Sequence, residues 1–420
     1  MRILHLTPCH WPARGGAQTH LQVVSAYLVQ AGHEVTIATS DAHDVSLLWQ
    51  PNKRRCAQSE DVIDGVRILR FPVRHLLNSR FGFPAVHRLI WLLSKVGATG
   101  MARWFGRYIP HVPDLYQWLA TTDEQFDIVG GMHLPYDGLL QAGQRFATRT
   151  NTPFITYPLT HFGVGKQPGS EPESQFYTMR HQAQIVCDSD ALVAQTDFEA
   201  SYYCERGMAR EKTVVGGPGI DLDAIAGGSA ARYQEAYTHA APFVLFLGTL
   251  APSKGAIQTT EAIRLLNRQG VSVELVLAGT ITDEFQRYWD AIPAAERATL
   301  HLRGYVSDEM RRDLLAACAV FCLPSKMDSF GMVYLEAWRY KKAVIAADSW
   351  GVKELVRDGE TGLLVAYGDP STTAEAVQKL LNNPTLATKL GEAGYAQTIA
   401  HHSWATKCAI VEQLYLKLAM

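Results

Sequence analysis

Short apolar runs alternate with longer segments of helical apolar spacing from one end of the chain to the other. Several of these runs are continuously apolar, which is typical of strands that are covered on both faces. Strands that are separated by helical segments predict right-handed βαβ units and parallel sheets. The predicted strands are Arg2–Thr7, Glu34–Ser40, Val66–Phe71, Asp127–Met132, Phe154–Tyr157, Ala191–Gln195, Thr213–Val215, Phe243–Gly248, Glu274–Ala278, Thr299–Leu302, Val320–Leu323, Ala343–Ala346 and Gly362–Val365.

This series of strands and helices starts twice. Near the amino terminus, the first predicted strand leads into Gly15 and Gly16 and then into a helical pattern. At residue 243 another apolar strand leads in the same way into Lys254 and Gly255, and a second helical pattern follows. Two such beginnings predict an α/β protein with two doubly wound domains.

The boundary between the two domains is expected in a segment that cannot form a core. Residues 216–241 are rich in Gly and Ala and carry few large apolar side chains. We therefore expect one domain over residues 1–217 and a second over residues 218–402. Residues from about 403 to 420 have apolar side chains at helical spacing, so we expect a closing helix that packs back on the first domain.

Composition narrows the class of protein. The chain has 420 residues, of which 47% are hydrophobic and 19% are charged, and this excludes a disordered or fibrous protein. Its 39 basic and 41 acidic residues leave a net charge of −2, which does not indicate a nucleic-acid partner. Seven cysteines without a CxxC pair predict no disulfide scaffold, and the spacing of His and Cys predicts no metal site. With no apolar run of about 18 residues, and with Pro8 ending the first run too early for a signal peptide, we expect a cytoplasmic protein.

Residues 65–113 depart from the average composition, because they contain no Asp or Glu but eight Arg or Lys. Aromatic residues lie between the basic ones, and residues 86–109 have helical apolar spacing. Such a stretch suits a place at the inner face of a membrane, on an anionic lipid surface, or an acidic partner. The simpler alternative is a solvated helical insertion that packs on its own domain or on a second copy of the chain. The basic residues are Arg67, Arg70, Arg74, Arg80, Arg88, Lys95, Arg103 and Arg107.

Two turns combine glycine with a position directly after a strand, where backbone amides approach a ligand closely. The first holds Gly15 and Gly16, but it lacks the full GxGxxG pattern, and Asp41 is the nearest acid that suits a ribose. A dinucleotide site there is therefore a weak alternative. The second turn places Lys254 at the predicted carboxyl edge of the second sheet, where its charge suits a diphosphate. A tight turn and a surface lysine are the simpler interpretations.

Residues 324–337 join a predicted strand to a predicted helix and carry two acids, Asp328 in the loop and Glu336 within the helix. The first N–H groups of a helix have no intrahelical acceptor and favour an anion. Two carboxylates that flank such donors suit a ligand with hydroxyl groups at both ends and an anion in the middle. A sugar nucleotide has this chemistry.

With these motifs the chain resembles the retaining glycosyltransferases of the GT-B fold, in the family 4 group that includes sucrose synthases and bacterial mannosyl- and glucosyltransferases. The resemblance covers nearly the whole chain, and the acid-x7-acid segment is its most specific part. It implies two doubly wound, Rossmann-like domains that face each other across a cleft. The matching motifs are Gly15-Gly16, residues 156–161, Pro218-Gly219-Ile220-Asp221, the Lys254-Gly255 turn, Gly304-Tyr305-Val306, and Asp328 with Glu336.

The resemblance also implies roles for individual residues. Three are implied in catalysis: Lys254 on the donor diphosphate, Asp328 on the hydroxyl groups of the donor sugar, and His133 near the reacting carbon. Glu336 is implied to hold the ribose, and His161 is assigned to the acceptor side. The other donor-binding positions are Gly16, Gly304, Tyr305, Val306, Ser329, Phe330, Gly331, Met332 and Val333.

Two positions depart from the family pattern. Thr249 stands where an arginine is common, and Asp328 is one methylene shorter than the usual glutamate. Threonine cannot replace the bidentate phosphate contact of arginine, so Lys326 or Arg14 would have to supply the charge. Either departure indicates a changed donor or a loss of activity.

The sequence thus predicts a retaining glycosyltransferase that moves a sugar from a UDP-, GDP- or other nucleoside diphosphate sugar to a hydroxyl group. The acceptor is a glycan, a lipid-linked sugar or a small molecule. Neither a metal nor a cofactor is expected, and a homo-oligomer is one possible assembly. The alternatives are a non-catalytic sugar-nucleotide-binding subunit of the same fold, and another GT-B enzyme such as a sugar-nucleotide epimerase.

Overall fold

The structure is a computed structural model that describes residues 1–13, 15–75 and 80–420. Arg14 and residues 76–79, which belong to the glycine turn and the basic segment of the sequence analysis, lie outside the described residues. Contacts between residues divide the chain into two units. Unit 1 comprises Met1–Thr160, Pro172–Pro218 and Ala405–Met420, and unit 2 comprises His161–Glu171 and Gly219–Trp404.

Unit 1 is built around an eight-stranded sheet with the order β3-β4-β2-β1-β5-β6-β7-β8. Its strands are β1 (Arg2–Thr7), β2 (Glu34–Ser40), β3 (Glu60–Ile63), β4 (Val66–Phe71), β5 (Ile128–Met132), β6 (Phe154–Tyr157), β7 (Ala191–Ala194) and β8 (Thr213–Val215). Its helices are α1 (Gly16–Gln30), α2 (Gly82–Lys95), α3 (Thr99–Gly106), α4 (Pro113–Thr121), α5 (Asp137–Thr150), α6 (Arg180–Cys187) and α7 (Asp197–Cys204).

Unit 2 is built around a six-stranded sheet with the order β11-β10-β9-β12-β13-β14. It begins with α8 (Ala230–Ala236), and its strands are β9 (Phe243–Leu247), β10 (Glu274–Ala278), β11 (Leu300–Gly304), β12 (Val320–Leu323), β13 (Ala343–Ala347) and β14 (Leu363–Val365). Its other helices are α9 (Ala256–Arg268), α10 (Asp283–Asp290), α11 (Asp308–Ala317), α12 (Met332–Arg339), α13 (Pro370–Asn382) and α14 (Pro384–His401). The last helix of the chain is α15 (Trp404–Ala419).

Both sheets are parallel apart from the pair of β3 and β4, which is antiparallel. The strands β5, β9, β10 and β12 are buried along their whole length, as continuous apolar runs require. The predicted α/β fold with two Rossmann-like domains is therefore confirmed, and all thirteen predicted strands occur with ends that differ by two residues at most.

The strand order of each sheet reverses once. In unit 1 the chain runs from β1 to β2 and outward, and then returns to add β5 on the other side of β1. In unit 2 it runs from β9 through β10 to β11, and then returns to add β12 on the other side of β9. The carboxyl ends of the two strands at such a point open a crevice, which is where ligands bind in open α/β sheets.

One strand was not predicted. β3 is a short edge strand with alternating exposed positions, and it forms a hairpin with β4. The turn consists of Asp64 (φ 52°) and Gly65 (φ 79°), an Asp-Gly pair with the left-handed backbone of a two-residue hairpin. This dipeptide was the sequence signal for the hairpin, and the acids Glu60 and Asp61 obscured it because they lower the apolar content of the run.

The helix α15 contributes Tyr415 to the interior of unit 1. Its hydroxyl group lies 2.9 Å from Nε2 of His5 and 2.6 Å from the hydroxyl of Tyr157, and all three side chains are buried. Nδ1 of the same imidazole lies 2.9 Å from the hydroxyl of Ser25. A buried network of hydrogen bonds thus joins the last helix to β1 and β6 in the middle of the first sheet.

The basic segment of the sequence analysis divides into two parts. Four of its arginines, at positions 67, 70, 74 and 103, form ion pairs with acids that lie outside the segment. The other four basic residues lie on or beside α2 and α3. Residues 80–107 are therefore the part that presents a basic surface. Among the described residues, none of the helices combines the length and the hydropathy that crossing a membrane requires.

Replacing Tyr415 with Phe tests the bonds of the last helix. Tyr415→Phe is expected to lower the free energy of unfolding by about 1–3 kcal/mol, because His5 and Tyr157 lose a buried partner. Chemical denaturation measures the difference. The control is Leu416→Ala on the same helix, whose side chain is 45% exposed and whose replacement is expected to change stability by at most about 0.5 kcal/mol. Equal effects of the two variants would contradict the prediction.

Candidate functional site

The polar side chains singled out in the second half of the chain lie at the reversal point of the second sheet. β9 ends at Leu247 and is followed by the turn with Lys254, whereas β12 ends at Leu323 and is followed by the loop with Asp328. β9 and β12 are adjacent and parallel, so both loops leave the same edge of the sheet side by side. The site is therefore assembled by strand pairing.

The two loops are in close contact. Gly255 has a φ of 78°, and a Cβ atom on it would lie 2.4 Å from the carbonyl oxygen of Pro324, so only glycine fits there. The backbone N–H of Lys326 donates to the carbonyl of Ser253 at 3.0 Å. These contacts bring the side chains of Lys254 and Asp328 to one place.

Lys254 and Asp328 form an ion pair. The ammonium group donates to Oδ1 of Asp328 at 2.6 Å and to the carbonyl oxygen of Met327 at 2.8 Å. The two side chains are 26% and 19% exposed, so water reaches the pair but does not surround it. Burial raises the pKa of Asp328, but Lys254 and the hydroxyl of Ser325 outweigh it, and the net pKa is below the usual range. The carboxylate is thus ionised, and the positive charge is held in place.

His161 lies against the same pair. Burial and then the charge of Lys254 lower its pKa, Asp328 and the carbonyl of Met327 oppose this shift in part, and the resulting pKa is about 4. The imidazole is therefore neutral near pH 7. Although residues 161–171 follow a strand of unit 1, they cluster with unit 2.

The loop continues into α12 at Gly331, whose φ is 93°. The hydroxyl of Tyr334 donates to the carbonyl oxygen of Leu323 at 2.6 Å, and Phe330 is buried, so the start of the helix is fastened to the end of β12. The first N–H groups of a helix lack intrahelical acceptors and carry the positive end of its dipole. The start of α12 thus has the polarity that favours an anion, and it follows the loop that carries Asp328.

Glu336 occupies the second turn of α12 and forms a bidentate pair with Arg311 of α11, with both carboxylate oxygens 2.7 Å from the same guanidinium nitrogen. Burial raises the pKa of Glu336, and Arg311 opposes the shift only in part. The pair fixes the carboxylate while leaving further lone pairs on its oxygens. Such a carboxylate is able to accept hydrogen bonds from two neighbouring hydroxyl groups.

The remaining predicted positions in unit 2 lie at the same edge of the sheet. Gly304 ends β11 with a φ of 65°, Tyr305 after it is 71% exposed, and Val306 is half-buried. Ser329, Met332 and Val333 belong to the loop and the first turn of α12. Thr249, which stands in place of the usual arginine, is exposed.

Two predicted residues lie at the reversal point of the first sheet. Gly16 is the first residue of α1 after β1, and His133 directly follows β5, the neighbour of β1. His133 has a φ of 83°, which is strained for a residue other than glycine, and its ring packs edge-on against Tyr136 with the centroids 4.9 Å apart. The sequence analysis named both residues but did not foresee that their strands are adjacent.

The sequence analysis missed Arg311 and the carbonyl of Met327. Arg311 lies 25 residues before Glu336 in a helix rich in charge, where it resembles an ordinary surface residue. A backbone carbonyl carries no sequence signal. Arg311 as the partner of Glu336, and the carbonyl of Met327 as a partner of Lys254, become visible only in the folded structure.

Comparisons with known families cover both units. Residues 15–219 match the family described as Glycosyl transferase 4-like domain. Residues 231–397 match the family described as Glycosyl transferases group 1.

Curated relatives match parts of the chain. An alpha-maltose-1-phosphate synthase of Mycolicibacterium smegmatis is 33% identical over 190 residues, which are 42% of this chain and 48% of that protein. A D-inositol 3-phosphate glycosyltransferase of Streptomyces avermitilis is 29% identical over 253 residues, which are 56% of this chain and 53% of that protein. The chain thus spans about half the length of these curated relatives.

Solved structures match over nearly the whole length. A structure of Anabaena Alr3699/HepE in complex with UDP and glucose has a TM-score of 0.69 at 18% identity and covers 98% of both chains. The sucrose-phosphate synthase of Thermosynechococcus elongatus has a TM-score of 0.71 at 18% identity and covers 99% of this chain and 98% of its own. Taken together, the chain combines a domain that matches the Glycosyl transferase 4-like family with a domain that matches the Glycosyl transferases group 1 family, and it has the fold of the GT-B glycosyltransferases.

Proposed function

We propose that the protein transfers a sugar from a nucleoside diphosphate sugar to a hydroxyl group, with retention of configuration. The observation that carries the proposal is the ion pair of Lys254 and Asp328 beside the start of α12. It places a cation, a carboxylate and helix amides at the point of an α/β sheet where nucleotides bind. The names of the curated relatives, both of them sugar-transferring or sugar-phosphate enzymes, support the same class of reaction.

Lys254 acts on the leaving group. When the bond between the anomeric carbon and the diphosphate oxygen breaks, its electron pair stays on that oxygen, and negative charge grows there. The ammonium of Lys254 and the amides at the start of α12 stabilise this charge as it develops. The acceptor oxygen forms the new bond to the anomeric carbon, and its proton passes to the departing diphosphate.

Asp328 and Glu336 hold the two ends of the donor. Asp328 binds hydroxyl groups of the sugar, and Glu336 binds the hydroxyl groups of the ribose while Arg311 fixes its orientation. In the structure the ammonium of Lys254 donates a hydrogen bond to Asp328. Donor binding therefore exchanges one contact of the ammonium for another, because the diphosphate competes with the carboxylate.

In this proposal unit 2 binds the donor and unit 1 binds the acceptor. Unit 2 corresponds to the donor domain expected over residues 218–402, and unit 1 to the acceptor-side domain expected over residues 1–217 with the closing helix. The roles of Gly16 and His133 toward the donor rest on the resemblance to family 4 enzymes. His161, expected on the acceptor side, instead lies against the Lys254 and Asp328 pair, and we propose that its neutral ring contacts the donor sugar.

Retention and independence of a metal ion rest on that resemblance as well. In this proposal Lys254 and the helix amides do what a divalent cation does at the diphosphate in other transferases. The competing function is a non-catalytic subunit that binds a sugar nucleotide. Turnover of any donor separates the two functions.

The first test combines a donor panel with one substitution. UDP-, GDP-, ADP- and dTDP-sugars are screened by thermal shift, since a ligand at about 100 times its Kd stabilises the fold by about 2.7 kcal/mol. With the donor so found, Lys254→Ala is expected to lower kcat/KM by at least about 30-fold, or about 2 kcal/mol. Lys389→Ala on the exposed surface of α14 is the matched control. Activity of Lys254→Ala within about threefold of the wild type would refute the phosphate role, and binding without any turnover would favour the non-catalytic subunit.

The second test separates the roles of the two acids. Glu336→Gln is expected to weaken binding of the free nucleoside diphosphate, because the ribose belongs to donor and product alike. Asp328→Asn removes the carboxylate that is paired with Lys254, so the affinity for the nucleoside diphosphate is expected to stay equal or to increase. The same variant is expected to lose the preference for the sugar-bearing donor. Isothermal titration of both ligands measures this. The same loss of nucleoside diphosphate affinity in both variants would contradict the assignment.

We further propose that residues 80–107 dock on an anionic membrane surface. The inner face of α2 packs with α3 and Met179 in a small apolar cluster, but its outer face is apolar as well. Phe81 is 67% and Val96 is 77% exposed. Arg80, Lys95 and Arg107 stack on aromatic rings at 5.0, 5.0 and 4.0 Å. An exposed face that combines apolar side chains with cations and lacks any acid suits the headgroup region of a bilayer. The exposed apolar residues are Phe81, Leu89, Leu92, Val96, Met101 and Trp104.

Vesicle flotation tests this surface. Binding is expected with anionic vesicles at about 50 mM salt, and it should weaken at high salt as screening shortens the Debye length to a few Å. The double variant Arg88→Glu with Lys95→Glu is expected to lower affinity by at least about 30-fold, because each cation contributes about 1 kcal/mol near an anionic leaflet. Lys389→Glu is the control. Absence of binding at low salt, or a concentration-dependent dimer that protects these side chains, would assign the surface to protein contacts.

A further inference from the structure

A second polar cluster in unit 2 lies at the edge of the sheet opposite the Lys254 loop. It consists of His239 before β9, Glu274 at the first position of β10, and His301 near the start of β11. Because the strands are parallel, these positions are at the amino ends of the strands, whereas the candidate donor site is at the carboxyl ends. The two sites are therefore separate.

One carboxylate oxygen joins the two imidazoles. Oε2 of Glu274 lies 2.5 Å from Nδ1 of His239 and 2.7 Å from Nε2 of His301. All three atoms lie within 4.8 Å of one another. Three ligands of one tetrahedral ion at bond lengths of about 2.0–2.2 Å are about 3.4 Å apart. In a coordinating arrangement the carboxylate oxygen therefore lies less than about 1 Å farther from each imidazole nitrogen than it does here.

Hydrogen-bond partners and an aromatic ring surround the cluster, as groups of this kind surround and orient the ligands of metal sites. Nε2 of His239 lies 2.9 Å from the hydroxyl of Tyr233. When Nδ1 binds a metal, Nε2 carries the hydrogen, and the hydroxyl oxygen is able to accept a hydrogen bond from this N–H group. The second oxygen of Glu274 accepts the backbone N–H of Ala240 at 2.7 Å. The ring of His239 stacks on Phe243 at 4.8 Å between centroids. Two of the three ligands are thus held in place by partners outside the cluster.

The cluster is partly enclosed. The side chains of His239 and Glu274 are 9% and 8% exposed, and that of His301 is 26% exposed. A cavity of about 360 Å³ opens beside His239 and is lined also by Phe243 and Ala319.

We propose that His239, Glu274 and His301 form a binding site for a divalent transition cation, with Zn²⁺ as the preferred ion. Two imidazoles and a carboxylate are ligands typical of Zn²⁺, whereas Mg²⁺ and Ca²⁺ prefer sites made of oxygen alone. The ion would join the segment between α8 and β9 to two strands at the sheet edge, so it stabilises unit 2. It takes no part in the transfer reaction proposed for the opposite edge.

Metal titration of the full chain after treatment with a chelator tests the site. The wild type is expected to bind one equivalent of Zn²⁺, to give visible absorption typical of tetrahedral sites with Co²⁺, and to gain thermal stability with Zn²⁺ but not with Mg²⁺ or Ca²⁺. His301→Asn and Glu274→Gln are each expected to lower the affinity at least about tenfold, because even outer partners of metal ligands contribute that much. His401→Asn, which removes an exposed histidine on α14, should leave binding unchanged.

Two results would overturn the proposal: no stoichiometric binding of Zn²⁺ or Co²⁺ by the wild type, or equal affinity in the wild type and His301→Asn. His301 is the most exposed of the three ligands, so this variant remains informative if Glu274→Gln fails to fold. Sugar transfer by the metal-free protein is measured separately, so a failure of this site is distinguishable from a failure of the proposed function.

Discussion

The parallel pairing of β9 with β12 is the constraint on which the candidate site depends. These strands are separated by more than seventy residues, and each is followed by a loop that carries a charged group of the candidate site. Because parallel neighbours end at the same edge, pairing places Lys254 and Asp328 2.6 Å apart without any local sequence relation between them. The pairing of β1 with β5 places the residues after these strands, among them Gly16 and His133, at one edge of the first sheet.

Desolvation decides the state of the groups at this edge. A buried charge is costly unless it is paired, and the two titratable groups beside Lys254 respond to this cost in different ways. Asp328 remains ionised because the ammonium is in contact with it, whereas His161 remains neutral because the same ammonium adds to the cost of burial. In the proposed function, the donor diphosphate supplies the negative charge that pairs with Lys254 when the ammonium leaves Asp328.

For Glu336, in contrast to Asp328, the effect of burial on the pKa outweighs that of the neighbouring positive charge. Its bidentate contact with Arg311 does not fully compensate for its burial, so its pKa lies above the usual range while that of Asp328 lies below it. Two acids eight positions apart in one loop and helix therefore differ in their response to ligands. An acid that is held by arginine and keeps free lone pairs suits neutral hydroxyl groups. An acid that is paired with a lysine ammonium responds to an anion that competes for the same ammonium.

The sequence by itself determined the class of fold and, to within two residues, the ends of every strand except β3. Continuous apolar runs are a local property, so thirteen strands could be predicted, and the turns after them pointed to Lys254, Asp328 and Glu336. The sequence also marked residues 65–113 as basic. It did not show that half of those charges form ion pairs with acids elsewhere in unit 1.

Only the tertiary structure decided which strand ends are neighbours and which side chains meet. Arg311 reaches Glu336 across 25 residues, and His239 reaches His301 through Glu274 across 62 residues, 301 minus 239. Spacing rules for metal ligands and charged pairs apply within one turn or one hairpin. They cannot detect groups brought together by strand order, because that order depends on the packing of helices against both faces of a complete sheet.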